Sequence, residues 1–308
     1  MATRAAAQQP LRLRATRRRW GEDVVKVALG LCAFVSVATT VGIVVALFVP
    51  AIEFFREISI VDFLTGTNWA PLFEPPAFGV LPLIAGTLLV TGCACLVCIP
   101  FGLGSAIYLS EYARPRTRKY LKPILEVLAG IPTVVYGYFA LTFMTPLLQN
   151  IGVGVGVFSA LSAGLVMGVM LLPTVASVSE DSMSAVPQDL RDGAYALGST
   201  RLHVSTRIVV PAAISGIIAS FVLAISRAVG ETMIVLIAAG GQPNMTWNPL
   251  DAVQTMTAFI AATGQGDVPT GSIEYKTIFA VGAALFVMTF VMNLFAIRLV
   301  RRFREVYE

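Results

Sequence analysis

The chain has 308 residues, of which 56% are hydrophobic and 13% are charged, and it carries a net charge of +4. This composition excludes a water-soluble globular domain, because too few polar residues are present to cover the surface of one. Apolar runs near 20 residues recur, and each is long enough to cross a bilayer core of about 30 Å as a helix. We therefore expect an all-α integral membrane protein.

The amino-terminal segment, residues 1–23, is polar and rich in arginine. It has no apolar pattern, which favours a basic cytoplasmic tail that contacts anionic lipid headgroups. Nucleic-acid binding is the alternative, but no aromatic or repeated pattern supports it. The following apolar run, residues 24–49, is longer than the core of a signal peptide and lacks a clear small-x-small cleavage site. It predicts a retained first helix that Pro50 ends or bends.

Five further apolar spans follow, and with the first they predict a six-helix transmembrane domain over residues 24–303. Their approximate ranges are 79–109, 121–147, 157–178, 211–239 and 277–300. Prolines mark sites where these helices bend: Pro100, Pro132, Pro173 and Pro211. The loop after the first span contains Trp69, whose amphipathic ring suits the membrane interface.

The basic residues are distributed unevenly among the loops. Seven of the 22 lie in the amino-terminal segment up to Lys26, five in residues 114–122, three in residues 180–211 and four in the carboxyl-terminal tail. With six spans, all four of these segments lie on the same side of the membrane. Because loops rich in Lys and Arg stay on the cytoplasmic side, we expect both termini to be cytoplasmic in a multi-pass protein of the cell (inner) membrane.

The sequence gives no sign of catalysis, a cofactor or a metal site. Cys93, Cys95 and Cys98 point in different directions on a helix and have no accompanying histidine, which favours buried apolar roles. None of the four lysines follows a glycine, so the chain has no phosphate-cradling loop for a nucleotide. Any ATP hydrolysis is therefore expected in a partner subunit, and this chain is not expected to be an enzyme.

The longest polar stretch between two apolar spans, residues 180–211, carries a spaced motif. Asp192, Gly193 and Ala194 are followed by Gly198 after three residues, and by an Ile-Val-Val-Pro run that ends at Pro211. This spacing resembles the EAA loop of ABC-importer permeases, with Asp-Gly in place of Glu-Ala and Val in place of Leu before the proline. The resemblance implies a short helical hairpin that docks into a separate ATPase subunit. An ordinary solvated loop is the alternative.

Two ionisable residues, Arg227 and Glu231, lie well inside the fifth span. Buried charge is costly unless it is paired or lines a water-filled path. Their spacing places them on one face of a continuous helix, so they can form a structural ion pair. The functional hypothesis is that Arg227 faces the translocation path and binds an anion, with Glu231 orienting it and Ser226 and Thr232 adding hydroxyl groups.

Several motifs resemble the PstC-type permeases of phosphate ABC importers. They are F-G-V-L-P-L-I-A-G-T-L at 78–88, Y-L-S-E-Y-A at 108–113, L-A-G-I-P-T-V-V-Y-G at 128–137 and S-R-A-V-G-E-T-M at 226–233. The resemblance implies a type I importer permease with an ABC transmembrane core over about 82–300. It further implies a PstA-like second permease, two copies of a PstB-like ATPase and an extracytoplasmic PstS-like phosphate-binding protein. The family's buried arginine and glutamate correspond to Arg227 and Glu231.

Two alternatives to phosphate import remain open at this point. One is a permease for another oxyanion, such as sulfate or molybdate, on the same architecture. The other is an ion-coupled carrier or channel that needs no ATPase and moves its substrate alone. Dependence of transport on the loop at 180–211 distinguishes the second alternative from an ABC importer.

Overall fold

A computed structural model of the chain describes residues 20–302. The helices are α1 Trp20–Glu57, α2 Ile60–Thr65, α3 Leu81–Ile107, α4 Pro115–Gly130, α5 Thr133–Phe139, α6 Thr145–Asn150, α7 Ala160–Ser184, α8 Gln188–Ala196, α9 Arg201–Val204, α10 Val210–Ala212, α11 Ile214–Val229, α12 Met233–Ala238, α13 Met256–Gly264 and α14 Ile273–Arg302. Three π-helical segments, Tyr108–Tyr112, Ala140–Met144 and Ser205–Val209, continue α3, α5 and α9. Two short strands, β1 Trp69–Ala70 and β2 Ala77–Phe78, pair antiparallel.

The chain divides into two compact units, residues 1–47 and 48–308. The described part of the first unit, residues 20–47, belongs entirely to α1, and the most apolar stretch of this helix has no buried side chain. Helix α1 continues through Pro50 to Glu57, so the proline does not end it. The expected tail at residues 1–23 falls mainly outside the described residues.

Among the described residues, four helices are long and apolar enough to cross a membrane, namely α1, α3 with its π-helical continuation, α7 and α14. Two further helix pairs pass the same test but are bent, by 89° between residues 115–130 and 133–150, and by 72° between residues 201–212 and 214–229. Counting each bent pair as one crossing gives six spans, the number predicted. The expected third span is therefore broken at Ile131 and Pro132, where a bend was predicted.

Helices α3 and α7 form the centre of the second unit through small residues. A Cβ atom added at Gly164 would overlap that of Cys93, and one added at Gly168 would lie 2.7 Å from the Cβ of Val97. A Cβ atom added at Gly102 would lie 2.7 Å from the Cβ of Val175. The two helices are thus in backbone-close contact along most of their length, as small residues permit in membrane helices.

The side chain of Trp69, expected to suit a membrane interface, is buried in an aromatic cluster. It is 4% exposed, and its ring meets that of Phe259 edge to face at a centroid distance of 4.9 Å. Phe54 and Phe63 belong to the same cluster. The sequence did not predict this burial, because Phe259, on α13, is distant in the sequence and only the folded chain brings it against the indole.

Candidate functional site

The fifth span is interrupted at the two ionisable residues. Helix α11 ends at Val229, Gly230 caps it, and α12 begins at Met233. Oε1 of Glu231 accepts hydrogen bonds from the backbone N–H groups of Met233, at 3.0 Å, and Ile234, at 3.5 Å. Glu231 therefore caps the amino terminus of α12. The predicted ion pair with Arg227 is absent because the two residues do not share a continuous helix.

Arg227 has an exposed side chain whose closest polar contact is on a neighbouring helix. Its Nη1 lies 3.4 Å from Oγ1 of Thr174, which follows Pro173 in α7. Within residues 20–302, Arg227 has no carboxylate within ion-pair distance. Most of the guanidinium donors are therefore available to an anion that reaches this surface.

The two hydroxyl residues proposed beside Arg227 serve local structure. The hydroxyl of Ser226 donates to Oδ1 of Asn293 on α14 at 3.1 Å, and the hydroxyl of Thr232 makes a long contact of 3.4 Å with the carbonyl of Gly230. Neither hydroxyl contacts the guanidinium in this structure. Thr174, which sequence reasoning missed, supplies the hydroxyl that does.

The break between α11 and α12 is hydrogen-bonded to the segment at 240–276, which lies between the last two predicted spans. Its helix α13 is largely buried, and the hydroxyl of Thr257 donates to the backbone carbonyl of Glu231 at 2.7 Å. The N–H of Met256 donates to the hydroxyl of Thr87 on α3 at 3.1 Å. Arg227 thus lies just before a backbone turn that buried hydrogen bonds hold in place.

A second set of charges lies at the end of α7 towards the loop at 180–211. Glu180 is fully buried and accepts hydrogen bonds from Arg118, Lys122 (2.9 Å) and Ser184 (3.0 Å). Lys122 also pairs with Asp181 at 2.7 Å. Glu126 is exposed and lines a cavity of about 280 Å³ with Thr174 and Glu180.

The loop at 180–211 forms a helical hairpin, which we define as residues 188–212. Helix α8 leads to Gly198, whose φ of +79° is the left-handed conformation that favours glycine, and Thr200 then caps α9. Ala194 is buried in an apolar cluster with Met183, Val204 and Ile217, so its small side chain allows the hairpin to pack on its own chain.

The outward surface of the hairpin consists of other residues. Asp192, Gly193 and Pro211 are exposed, and Leu197, next to the turn, is 88% exposed. A Cβ atom added at Gly193 or Gly198 would meet no other atom within 4 Å, so space surrounds both positions. Leu190, Tyr195 and Leu202 of the same hairpin are exposed as well, and a group of exposed apolar side chains favours a surface that a partner covers.

Comparison with known proteins places this geometry in a family context. Residues 98–305 match the family described as binding-protein-dependent transport system inner membrane component. The chain is 36% identical over 265 residues to the probable ABC transporter permease protein YqgH of Bacillus subtilis, with 85% of each chain covered. It is 30% identical over 295 residues to the phosphate transport system permease protein PstC of Haemophilus influenzae, covering 88% of this chain and 90% of the relative.

A further relative, PstC of Mesorhizobium japonicum, is 31% identical over 251 residues, with 75% of each chain covered. Among solved structures, a bacterial ABC transporter that imports alginate shares the fold with a TM-score of 0.61 at 20% identity, covering 94% of this chain. The inward-facing methionine ABC transporter MetNI gives a TM-score of 0.55 at 17% identity, covering 74% of this chain. These structural similarities show a common fold.

Proposed function

The chain belongs to the binding-protein-dependent inner membrane components of ABC importers, and from this premise we propose that it is the permease subunit through which inorganic phosphate is imported. The relatives named PstC, at about 30% identity over most of the chain, support this substrate. The proposal includes a multi-pass arrangement in the inner membrane with both termini in the cytoplasm, as the distribution of basic residues predicts.

The observation that carries the substrate proposal is the state of Arg227. Its side chain is exposed next to a helix break, and no carboxylate in residues 20–302 neutralises it. A guanidinium in this position offers several N–H donors in one plane, which matches the oxygen atoms of phosphate. The hydroxyl of Thr174, already beside Nη1, adds a group that can donate to an oxyanion or accept from its hydroxyl.

Coupling to ATP is proposed to occur through the hairpin 188–212. The chain has no phosphate-cradling loop of its own, so any ATP that drives import is hydrolysed by another polypeptide. Asp192, Gly193 and Leu197 form an exposed surface around the turn at Gly198, which suits insertion into a cleft of a PstB-like ATPase. Two such ATPase subunits, a PstA-like second permease and a PstS-like binding protein would complete the importer.

The proposed cycle is alternating access. Loaded binding protein docks on the extracytoplasmic loops, and ATP binding closes the two ATPase subunits. The hairpins transmit this closure to the helices and open the path outward, so that phosphate passes from the binding protein to the surface carrying Arg227. ATP hydrolysis then releases the ATPase subunits and returns the path to the inward-facing state.

The test is uptake of radiolabelled phosphate at low external phosphate in cells that lack this chain. Cells are complemented with wild type, Arg227→Ala, Arg227→Lys or Arg298→Ala, and uptake is normalised to the amount of chain in the membrane. Arg298 is a matched control because it is an exposed arginine near the end of α14. We expect wild type and Arg298→Ala to restore uptake, Arg227→Ala to fail and Arg227→Lys to restore it weakly, since lysine lacks the planar fork.

Each outcome separates the parts of the proposal. Restoration by Arg227→Ala would retain phosphate import and contradict the role of the arginine. Failure of wild type to restore phosphate uptake would contradict the proposal that phosphate is the substrate. The same cells would then be assayed with labelled sulfate and molybdate. Uptake by wild type in cells that also lack the ATPase would contradict coupling through the hairpin.

A further inference from the structure

One buried ion pair connects the hairpin 188–212 to a membrane helix. Nη2 of Arg191 lies 3.0 Å from Oε1 of Glu111, and their side chains are 10% and 5% exposed. Glu111 belongs to the π-helical segment that continues α3, and Arg191 lies in the middle of α8. The pair therefore joins the hairpin to the end of a crossing that is 80 residues away in the sequence.

The guanidinium of Arg191 contacts three segments of the chain at once. Besides Glu111, it donates to the backbone carbonyl of Val186 at 2.6 Å and to that of Met183 at 2.8 Å. Met183 is in the last turn of α7, and Val186 lies in the short connection to α8. These hydrogen bonds hold the connection and the hairpin against the ends of both α3 and α7.

Glu111 is itself fixed in place. The hydroxyl of Ser110 donates to its Oε1 at 2.9 Å, and the π-helical segment carrying it continues α3 without interruption. Single-turn π-helical segments often occur at functional positions, because they reorient side chains within a continuous helix. Helices α3 and α7 pack at backbone-close distance, so a force applied at Glu111 acts on both helices.

No other side-chain hydrogen bond within residues 20–302 leaves the hairpin. The bonds of Gln188, Thr200, Ser205 and Thr206 stay inside it. The hairpin also runs directly into α11, where the N–H of Ala213 donates to the carbonyl of Val209 at 2.9 Å. The remaining side-chain contact with the helices is the apolar cluster around Ala194, which fills space but has no preferred direction. The other ion pairs at this end, from Arg118 and Lys122 to Glu180, join α4 to α7 and do not reach the hairpin.

We propose that Glu111 and Arg191 are positioning residues that make the hairpin move together with α3 and α7 when the ATPase subunit pulls on it. This inference rests on the proposed docking of the hairpin. Without the pair, the hairpin rocks on its apolar cluster, and ATP is hydrolysed without the movement of the crossings that phosphate import requires.

The experiment uses the intact transporter, purified through a tag on this chain. After the four native cysteines are replaced by alanine, spin labels are attached at His203→Cys on the hairpin, away from the proposed docking surface, and at Phe101→Cys on α3, both exposed positions. The distance between the labels is measured with and without ATP. Phosphate transported and ATP hydrolysed are measured in vesicles containing the same transporter with the native cysteines.

In wild type, we expect one narrow label distance that ATP does not change. Glu111→Gln should broaden the distribution and lower the phosphate transported per ATP by roughly tenfold, while ATP hydrolysis continues. Arg191→Lys is the second variant, because it keeps a cation beside Glu111 but one ammonium group cannot contact all three acceptors. Arg191→Lys should broaden the distribution of label distances less than Glu111→Gln does, and its amount in the membrane should equal that of wild type.

Asp181→Asn is the matched control, because it breaks an exposed pair with Lys122 at the same end of α7. It should leave both the distance and the transport per ATP at wild-type values. A wild-type distance that changes with ATP would overturn the proposal, and so would a narrow distance in Glu111→Gln. If the distances behave as expected but wild type carries no phosphate, the positioning role stands and the proposed substrate fails.

Discussion

Arg227 and Glu231 are four residues apart in one apolar span, yet the carboxylate of Glu231 faces the next helix and not the guanidinium. Its Oε1 accepts the N–H of Met233 at 3.0 Å, while Arg227 reaches Thr174 on α7. The carboxylate of Glu231 thus lies at the amino terminus of α12, the positive end of that helix dipole. The guanidinium of Arg227 has no carboxylate within ion-pair distance in residues 20–302, as the proposed anion path requires.

The capping role of Glu231 predicts a difference between two substitutions. Glu231→Ala removes the acceptor for the N–H groups of Met233 and Ile234 and should destabilise the chain by about 1 kcal/mol. Glu231→Gln keeps a carbonyl oxygen there and should retain most of the stability and the uptake. Thermal unfolding of the purified chain and phosphate uptake measure the two effects. Equal loss in both variants would indicate that the negative charge, and not the cap, is needed.

The turn at Gly198 predicts sensitivity to any side chain. Gly198→Ala should cost about 1 kcal/mol because φ is +79°, and Gly198→Asp should abolish uptake while the chain remains in the membrane. Gly152 is a matched control, since it has the same φ, with open space around it, in the turn after α6. Gly152→Ala should cost similar stability and retain uptake. Uptake by Gly198→Asp at the wild-type level would contradict docking through the hairpin.

Because α3 and α7 are in close contact, adding one methyl group at Gly164 should lower the stability of the chain strongly. Gly164→Ala places a Cβ against that of Cys93 and should destabilise the chain by roughly 1–3 kcal/mol. Cys93→Gly should rescue part of this loss by removing the nearest atom, while the carbonyl oxygen of Val90 remains 3.1 Å from the added Cβ. Gly92→Ala, also on α3 but with nothing within 4 Å, should be tolerated. The amount of chain in the membrane and its thermal midpoint report the result, and failure of the double variant to recover would contradict the contact.

Because the carboxylate of Glu180 is buried, its substitution should lower the stability of the chain more than substitution of the exposed Asp181. Glu180→Gln weakens the charge-assisted bonds from Arg118 and Lys122 and should lower stability by roughly 1–3 kcal/mol. Asp181→Asn removes only an exposed pair and should have no measurable effect. Thermal midpoints of the purified variants compare the two. Similar midpoints would show that Glu180 is reached by water in the membrane.

The proposed orientation predicts which surfaces a membrane-impermeant maleimide reaches. In a background without native cysteines, His203→Cys on the hairpin, outside the proposed docking surface, should react only from the cytoplasmic side. Asp267→Cys, in the exposed segment between α13 and α14, should react only from the outside. Labelling intact cells and opened membranes distinguishes the two sides. The reverse pattern would invert the topology that the basic residues indicate.

Local patterns predicted the parts of the structure that depend on local chemistry. The apolar runs located the crossings, and the motif around Asp192 and Gly198 predicted a hairpin with its turn at the glycine. The pairing of Arg227 with Glu231 was wrong, because the spacing rule for helices assumes that the helix continues. Gly230 was the available signal against it, since glycine commonly ends helices.

Contacts between distant segments could not be predicted from one sequence. Glu111 was part of a recognised motif, but nothing in its neighbourhood indicates that its partner is Arg191, 80 residues later. The burial of Trp69 by Phe259 and the bonds from Lys122 to Glu180 have the same origin. In each case, the partner depends on how the helices pack and not on a periodic pattern within one of them.

The 89° bend at Ile131 and Pro132 has a consequence for the lipid that surrounds the protein. Because α4 lies nearly perpendicular to the helices that follow, a crossing made by residues 133–150 alone is roughly 27 Å long at the rise of an α-helix. This length is slightly less than the hydrocarbon thickness of an average bilayer. Local thinning of the bilayer is one way to match such a helix, so we expect transport in reconstituted vesicles to decline as the acyl chains of the lipid are lengthened.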